Sequence, residues 1–471
     1  MKIQPLYIDG RWRTTGDHLG VTNKYTGEVM AKVAVSGPAE VDAACAAARR
    51  ALAESPLTPW QRYQILSRVS AAILERREEI ALTIAREAGK PLKEALVEAG
   101  RAANTFRLSA EEATRIHGEM VPLGSAGTEN RFAYTIRVPV GVVCAITPFN
   151  FPLNLVAHKV APALAAGNTV VLKPASATPL SSLTLCHLLE EAGLPPGCLN
   201  LVVGGGAGVG EMLLGDGRLD FYTFTGSPPV GRHIRDRVGL RPVTLELGSN
   251  SATIVHGDAD LERAAAACGR MAFANAGQVC ISVQRIMVER RVLEDFCRLL
   301  VESAARLVVG DPTDPGTDVG PMISLEAAVK AENRVREAVE GGARLLTGGR
   351  RDGVMFHPTV LTAVRPDMKV VCEEVFAPVV TVIPYDGFEE ALDLVNDSRF
   401  GLQAGVFTRS LDLAMRAAQR LDVGGVMIND TSAFRADEMP YGGEKGSGAG
   451  REGPRWAVAE MSRTRVVVLN L

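Results

Sequence analysis

The sequence predicts an α/β protein made of two successive units, each a parallel sheet with crossover helices, plus a small β arm. Three observations carry this. From residue 130 onward, short β-branched runs alternate with helical stretches in the order strand, loop, helix, which is how parallel strands are connected. The alternation occurs twice, across about 131–248 and again across about 251–430. The chain has 471 residues, too many for one hydrophobic core, so two or three domains are expected.

The elements follow in order. Residues 38 to 117 read as helices, because apolar positions recur at helical spacing through "EVDAACAAARRALA", "RYQILSRVSAAILERREEIALTIAREAG" and "LKEALVEAGRAANTFRLSAEEATRI". Gly89 with Pro91 marks a stop between the last two. "RFAYTIRVPVGVVCAI" is strand-like, with Pro and Gly punctuation. "TVVLK" (169–173), "LNLVV" (199–203), "DFYTFTG" (220–226) and "PVTLELG" (242–248) are the next strands, and the first three are each followed by a helix. In the second unit the strands are "SATIV", "RIMVE", "PTVLT", "APVVTVI", "QAGVFT" and "GGVMIND", with helices near 260–275, 291–308, 323–341, 387–397 and 410–421. The tail "RTRVVVLNL" is a hydrophobic strand that needs an edge to pair with.

Composition excludes several classes. With 51 basic and 54 acidic residues and a net charge of -3, nothing points to nucleic acid. The stretch "MKIQPLYIDGRWR" lacks the apolar core of a signal peptide, and no run approaches the ~20 apolar residues of a membrane span. A cytoplasmic protein with no membrane partner is expected. The eight cysteines form no CxxC and no Cys/His cluster with metal-ligand spacing, so buried free thiols and no metal are expected.

In open parallel sheets, ligands bind at the carboxyl ends of strands, where glycine-rich loops lead into helix N-termini suited to phosphate. "GGGAGVG" (204–210) and "TFTGSPPVG" (223–231) lie at such places. Neither matches GxGxxG, and no GK[ST] follows, so a P-loop reading is weak and tight turns are the plainer explanation of the glycines. Glu246 ends a strand, Asn150 follows one in "TPFNFPLN", and Cys280 follows the small residues of "FANAGQV". Each lies where an element should meet a loop. Singly, each has an ordinary reading, as a solvated carboxylate, a helix cap or a buried thiol.

Together, "TPFNFPLN", "TVVLKPAS", "FTGSPPVG", "LELGSNSA", "NAGQVCISVQR", "EEVFAPVV" and "MPYGGEKGSGAGREG" resemble, in order and spacing, the NAD(P)-dependent aldehyde dehydrogenase superfamily. The resemblance runs from "YIDGRW" to the tail. It implies two Rossmann-like domains and an oligomerisation arm. The cofactor domain would take 1–118 and 141–245, the catalytic domain 246–430, and the arm 119–140 with 455–471. Residues 431–454 would return to the cofactor domain as a substrate loop. It also implies a homodimer or homotetramer.

The resemblance makes Cys280 the nucleophile that adds to an aldehyde. Asn150 and the Cys280 N–H become donors to the oxyanion, and Glu246 the base that activates water for thioester hydrolysis. Members that pass the acyl group to coenzyme A commonly lack this carboxylate, so hydrolysis is favoured over acyl transfer. A non-enzymatic binding protein is disfavoured because all three groups are present. For the cofactor, NAD or NADP, it implies Thr147, Pro148, Phe149, Lys173, Ser176, Gly226, Ser227, Gly231, Leu247, Glu374 and Phe376. Many NAD-preferring members carry Glu where this chain has Ser176; without that carboxylate, NADP should be tolerated. For the substrate it implies Arg101, Phe151, Val279, Ile281 and Arg435. Two guanidiniums converging on one tunnel suit an anionic tail, although Val279 stands where phosphate-specific members often carry Arg. The plainer alternative has Arg101 solvated and Arg435 paired with Asp437 or Glu438. Candidate substrates are short semialdehydes, glyceraldehyde-3-phosphate, phosphono- or sulfo-aldehydes, and hydroxyaldehydes such as lactaldehyde.

Overall fold

Five parallel strands form the centre of the first sheet in the computed structural model, which describes residues 2–471. Their spatial order is Val243–Glu246, Phe221–Thr225, Val142–Ile146, Thr169–Lys173 and Leu199–Leu201. The chain enters at Val142–Ile146 and builds outward in one direction. It then crosses back to build in the other, so the order reverses beside the entry strand. That reversal opens a crevice at the carboxyl ends of Val142–Ile146 and Phe221–Thr225. These strands read as unbroken apolar runs because both faces are covered. Pro38–Glu54 packs on the strands at 169–173 and 199–201, and Asn154–Ala165 on those at 142–146 and 169–173. Helix Leu92–Ala113 packs against Pro59–Glu75 and Asn154–Ala165 through Ala95, Ala99, Ala102, Ala103 and Ala110, small residues that allow close approach. Among them Phe106 is fully buried, worth about 1.5–3 kcal/mol relative to exposure.

The second sheet has the order Arg344–Thr347, Thr359–Thr362, Val379–Tyr385, Arg285–Glu289, Ala252–Val255, Gln403–Phe407 and Gly425–Ile428, parallel except for the first. It encloses apolar cores separate from that of the first sheet. Residues Gly448–Ala449 return to the first sheet, antiparallel to Val243–Glu246.

Three differences from the sequence reading have physical causes. The run 131–146 is two strands, Arg131–Pro139 and Val142–Ile146, because Gly141 has φ +133° and a Cβ there would lie 2.0 Å from Asp220 Oδ2. The segment 455–471 is likewise divided. Helix Pro454–Glu460 packs on Asn154–Ala165 and Leu92–Ala113, and only Ser462–Asn470 runs along Arg131–Pro139, with Met120–Val121 on the far edge. The third is a small sheet of Ile3–Gln4, Val29–Ala34 and His18–Thr22, whose strands are too short to show alternation.

Candidate active site

The crevice continues between the two sheets as a cavity of about 670 Å³. Thr147, Pro148, Phe149 and Asn150 line it from the entry strand, Gly226 and Ser227 from the next, and Glu246 and Leu247 from the third. Lys173 closes one side, and Cys280, Glu374 and Phe376 face them from the second sheet. Residues from six separate motifs thus open on one space. Gly206, Ala207 and Gly210 also line it, so the loop 204–210 is a wall of the site and more than a tight turn. Ser176 is set just behind the wall, its Oγ donating to the Gly204 carbonyl at 3.0 Å. Gly231, in the first turn of helix Pro228–Val238, packs against Leu247; a Cβ there would lie 2.4 Å from Leu247 Cδ2.

One end of the cavity suits a dinucleotide. Helix Pro228–Val238 starts at Ser227, whose side chain makes no cap, and its amino end faces the space. Among the described residues no carboxylate pairs with the buried Lys173 ammonium, and burial lowers its pKa. Glu374 accepts a single backbone bond, from Ser249 N–H at 2.9 Å, and lies so close to Gly248 that a Cβ there would fall 2.4 Å from Glu374 Oε2. Burial raises its pKa to about 7. Phe376, at φ +54°, meets Phe149 edge to face at 5.9 Å. A helix end open to phosphate, an unpartnered cation and a carboxylate with free acceptor capacity fit the phosphates and ribose hydroxyls of such a cofactor.

The other end is built around the turn that carries Cys280. Asn275, Ala276 and Gly277 are successively left-handed, at φ 49°, 53° and 67°. Each non-glycine costs about 1–3 kcal/mol in that region unless its surroundings hold it. Gly277 has no alternative, since a Cβ would lie 2.1 Å from the Ala377 carbonyl oxygen. Hydrogen bonds supply the restraint. Asn275 N–H donates to Glu94 at 2.9 Å, and Ile323 N–H donates to the Gln278 side chain at 2.9 Å. Asn275 Nδ2 reaches the Asn150 and Gln278 carbonyls at 3.3 Å each. Asn150 Nδ2 donates to the Gln278 carbonyl at 2.8 Å, so one of its amide hydrogens is used and the other is not. Among the described residues nothing engages the Cys280 N–H.

A second anchor lies on helix Leu92–Ala113. Glu98 accepts from Leu153 N–H at 2.9 Å and Asn154 N–H at 3.1 Å, fixing the turn that follows Asn150. Its other oxygen meets Lys90, and both side chains are fully buried. The Lys90 ammonium also lies 3.4 Å from the centre of the Phe151 ring. Glu94 and Glu98 are four apart, so one helix face holds both the Cys280 turn and the Asn150 turn.

Charge near Cys280 is arranged in two clusters. Arg435 donates to Glu452 at 3.1 Å and stacks 3.6 Å above the Tyr441 ring. Lys159 donates to the other Glu452 oxygen at 2.7 Å and to Thr223 at 3.0 Å. Burial opposes ionisation of Glu452, but Lys159 and Arg435 overcome it and hold the carboxyl well below its usual range. Glu246 is the opposite case. It is buried, and neither carboxyl oxygen is hydrogen-bonded among the described residues. Burial and the neighbouring Glu452 charge therefore push its pKa well up, against Arg435 and Lys159. In the second cluster, Asp437 accepts from Arg101 at 2.8 and 3.1 Å and contacts His158 at 3.2 Å. Both guanidiniums carry carboxylate partners: Arg101 pairs with Asp437 and Arg435 with Glu452. The alternative pairing of Arg435 with Asp437 or Glu438 is not formed. Arg435 is only 7 % exposed, whereas Arg101 is 24 % exposed. Val279 and Ile281 flank Cys280 in an apolar patch with Leu402 and Tyr441.

Comparison with known proteins decides the family. Residues 12–467 match the aldehyde dehydrogenase family model. The chain belongs to the aldehyde dehydrogenase family. Aldehyde dehydrogenases oxidise an aldehyde to the carboxylic acid with NAD or NADP, and this chain is an oxidoreductase of that type. It is 53 % identical over 472 residues to a 3-sulfolactaldehyde dehydrogenase of Priestia aryabhattai, covering 100 % of this chain and 99 % of that one. It is 39 % identical over 470 residues to a lactaldehyde dehydrogenase of Methanococcus maripaludis, covering 99 % and 100 %. Glyceraldehyde-3-phosphate dehydrogenase GapN of Methanocaldococcus jannaschii, solved with NADP, superposes with a TM-score of 0.93 at 40 % identity, covering 97 % and 100 %.

Sequence motifs did not mark Glu94, Glu98, Lys90 or Lys159, and Tyr441 and Glu452 lie within "MPYGGEKGSGAGREG" without a role of their own in the sequence reading. Acidic residues four apart on a helix look like a solvated face, and the Lys159–Glu452 pair joins residues 293 positions apart.

Proposed function

We propose that this aldehyde dehydrogenase oxidises a short, anionic or hydroxylated aldehyde and releases the free acid by hydrolysis. The observation that carries the reading is that Cys280, Asn150 and Glu246 open on one cavity whose other end fits a nicotinamide dinucleotide. Bound in its oxidised form, that cofactor supplies the acceptor for the aldehyde hydride. Thr147–Phe149, Lys173, Ser227 and Glu374 would hold it, Lys173 and Glu374 through ribose hydroxyls and Ser227 beside phosphate.

The Cys280 thiolate adds to the carbonyl carbon, and the carbonyl π pair moves to oxygen. The unused Asn150 amide hydrogen and the Cys280 N–H donate to that oxyanion, and one such donor is worth about 10²–10³ in rate. Loss of hydride leaves an acyl thioester on Cys280. Glu246 takes a proton from water as the water adds, and the thiolate departs, leaving the acid. A carboxyl raised by burial suits this role, since it is a stronger base than a solvated carboxylate.

The relatives' named substrates support an aldehyde with a hydroxyl and an anionic group. Arg101, the more exposed of the two arginines, is the better placed to meet the anion. Ser176 brings no negative charge near Lys173, so a 2′-phosphate is admitted and NADP serves as well as NAD. The chain works in the cytoplasm as a homodimer or homotetramer. Phe132, Ile136, Val466 and Val468 expose apolar surface along the arm, which a second copy would cover.

The test is a panel of aldehydes (sulfolactaldehyde, lactaldehyde, glyceraldehyde-3-phosphate, succinic semialdehyde, propanal) assayed with NAD and with NADP, with and without coenzyme A. Anionic or hydroxylated substrates should lead, and coenzyme A should leave rate and product unchanged. Preference for propanal, or a coenzyme A ester as product, overturns the reading. Ser176→Glu should raise KM for NADP and spare NAD.

A further inference from the structure

The Tyr441 hydroxyl lies 3.0 Å from Cys280 Sγ. We propose that Tyr441 is a catalytic residue, its hydroxyl donating to the Cys280 sulfur whenever that sulfur carries negative charge, with Arg435 on the ring face strengthening the donor. The proposal rests on Cys280 being the nucleophile.

The surroundings make such a donor necessary. The sulfur is flanked by Val279, Ile281 and Leu402, which offer no polar hydrogen. Two carboxyl groups, Glu246 and Glu374, act on it, and among the described residues Arg435 is the cation that does; Lys159 and Glu452 stand behind Arg435. Burial drives the thiol up, the Tyr441 hydrogen bond and Arg435 pull it back, and with the two carboxyl groups adding to the rise the thiol stands at about 11. A buried anion without a hydrogen bond is heavily penalised, and hydrogen bonds to charged groups are stronger than those to neutral ones.

Tyr441 is held for the task. Its backbone pairs with Glu452 in both directions, at 3.1 and 2.6 Å, and Glu452 in turn holds the Arg435 guanidinium that covers the ring. The stack draws electron density from the ring and makes the hydroxyl a better donor. The phenol does not itself ionise, since burial and the adjacent thiolate push its pKa far up. When Cys280 ionises, its proton leaves to cavity water and Tyr441 keeps its own. As the sulfur pair bonds to the carbonyl carbon, the sulfur loses its charge and the hydrogen bond weakens. It re-forms when thioester hydrolysis returns the electron pair to sulfur. One hydroxyl thereby assists sulfur as nucleophile and as leaving group.

The experiment is the pH dependence of Cys280 alkylation by iodoacetamide in the full chain, with the modified residue assigned by mass spectrometry. Tyr441→Phe keeps the ring and the stack and removes only the hydroxyl. Its alkylation midpoint should move up by about one pH unit and its rate at pH 7 fall about tenfold. The kcat/KM for aldehyde should fall in parallel at pH 7 and recover toward pH 10. Arg435→Met should shift the midpoint in the same direction by less, and it carries the test if the Phe variant fails to fold. Alkylation profiles that superimpose on the parent overturn the proposal. Cys280→Ser separates the two levels. If it kept turnover, the nucleophile reading would fail; if it is inactive while the Tyr441→Phe profile is unchanged, only the role of Tyr441 fails.

Discussion

The two ends of the central cavity are made differently. The nucleotide end is local: a strand and a short loop leading toward a helix, at Thr147–Phe149 and again at Gly226–Ser227, each contiguous in sequence. On the proposed reading it would meet its ligand with backbone N–H groups, one lysine and one carboxylate. The chemical end is assembled from far apart. Cys280, Tyr441, Arg435, Glu452, Lys159 and Glu246 meet there, charged and polar groups taken out of water and stabilised mainly by one another. Sites of the first kind tolerate change at single positions, since each contact is one of many. In the second kind, removing one partner leaves another buried and unpaired. The same contrast separates binding from turnover, and the following variants test it.

The largest effect should come from Cys280→Ser, which removes the proposed nucleophile and leaves the residues of the nucleotide end in place. Turnover should fall by on the order of 10³-fold or more. Dinucleotide binding, measured by fluorescence titration, should not change; a parallel loss of binding would dissolve the distinction between the two ends. Glu98→Ala comes next. It frees the turn after Asn150 and leaves Lys90 unpaired, so it should lower kcat by about tenfold and stability by about 3–5 kcal/mol. A cycle with Asn150→Ala separates positioning from folding. If Glu98 acts through Asn150, the kcat losses are far less than additive while the drop in melting temperature persists; additive kcat losses would refute it.

Arg101→Met keeps the side-chain stem and should raise KM for anionic aldehydes by about tenfold with little effect on propanal. Equal effects on both substrates would place the anion elsewhere. The smallest effect concerns Glu374, whose folded pKa is raised by burial from 4.5 to about 7. A raised carboxyl costs nothing below pH 4.5, where both states hold the proton, and destabilises the fold increasingly as pH rises toward 7 and above. Glu374→Gln should therefore melt at the same temperature as the parent near pH 4.5 and higher at pH 8, while binding the dinucleotide more weakly. A melting temperature that is unchanged at pH 8 would mean the carboxylate is better solvated than its burial implies.

Legibility in the sequence follows the same division. The alternation of β-branched runs and helical stretches marked the strands of both parallel sheets, because strands covered on both faces are necessarily unbroken apolar runs. Asn150, Glu246 and Cys280 stood out because each ends or follows a regular element, and the fold brings them to one cavity. What sequence could not reveal was pairing. Arg435 was visible as a charge on a loop, but nothing nearby announced Glu452 as its partner or Tyr441 as the ring beneath it. Glu94 and Glu98 sit at helical spacing among alanines, the same pattern a solvent-facing stripe would give. The three-stranded sheet near the amino end was missed because its strands are two to six residues long, below the span over which alternation can be recognised.

The arm strand Ser462–Asn470 pairs along its whole length with Arg131–Pro139, and Arg137 reaches Ser462 across 325 positions of chain. During synthesis, one edge of the earlier strand must wait, unpaired, until almost all of the catalytic sheet has been translated. Closure of this small sheet is thereby deferred until both parallel sheets have been made, and a ribosome that stalls short of residue 462 releases a chain in which that edge stays open.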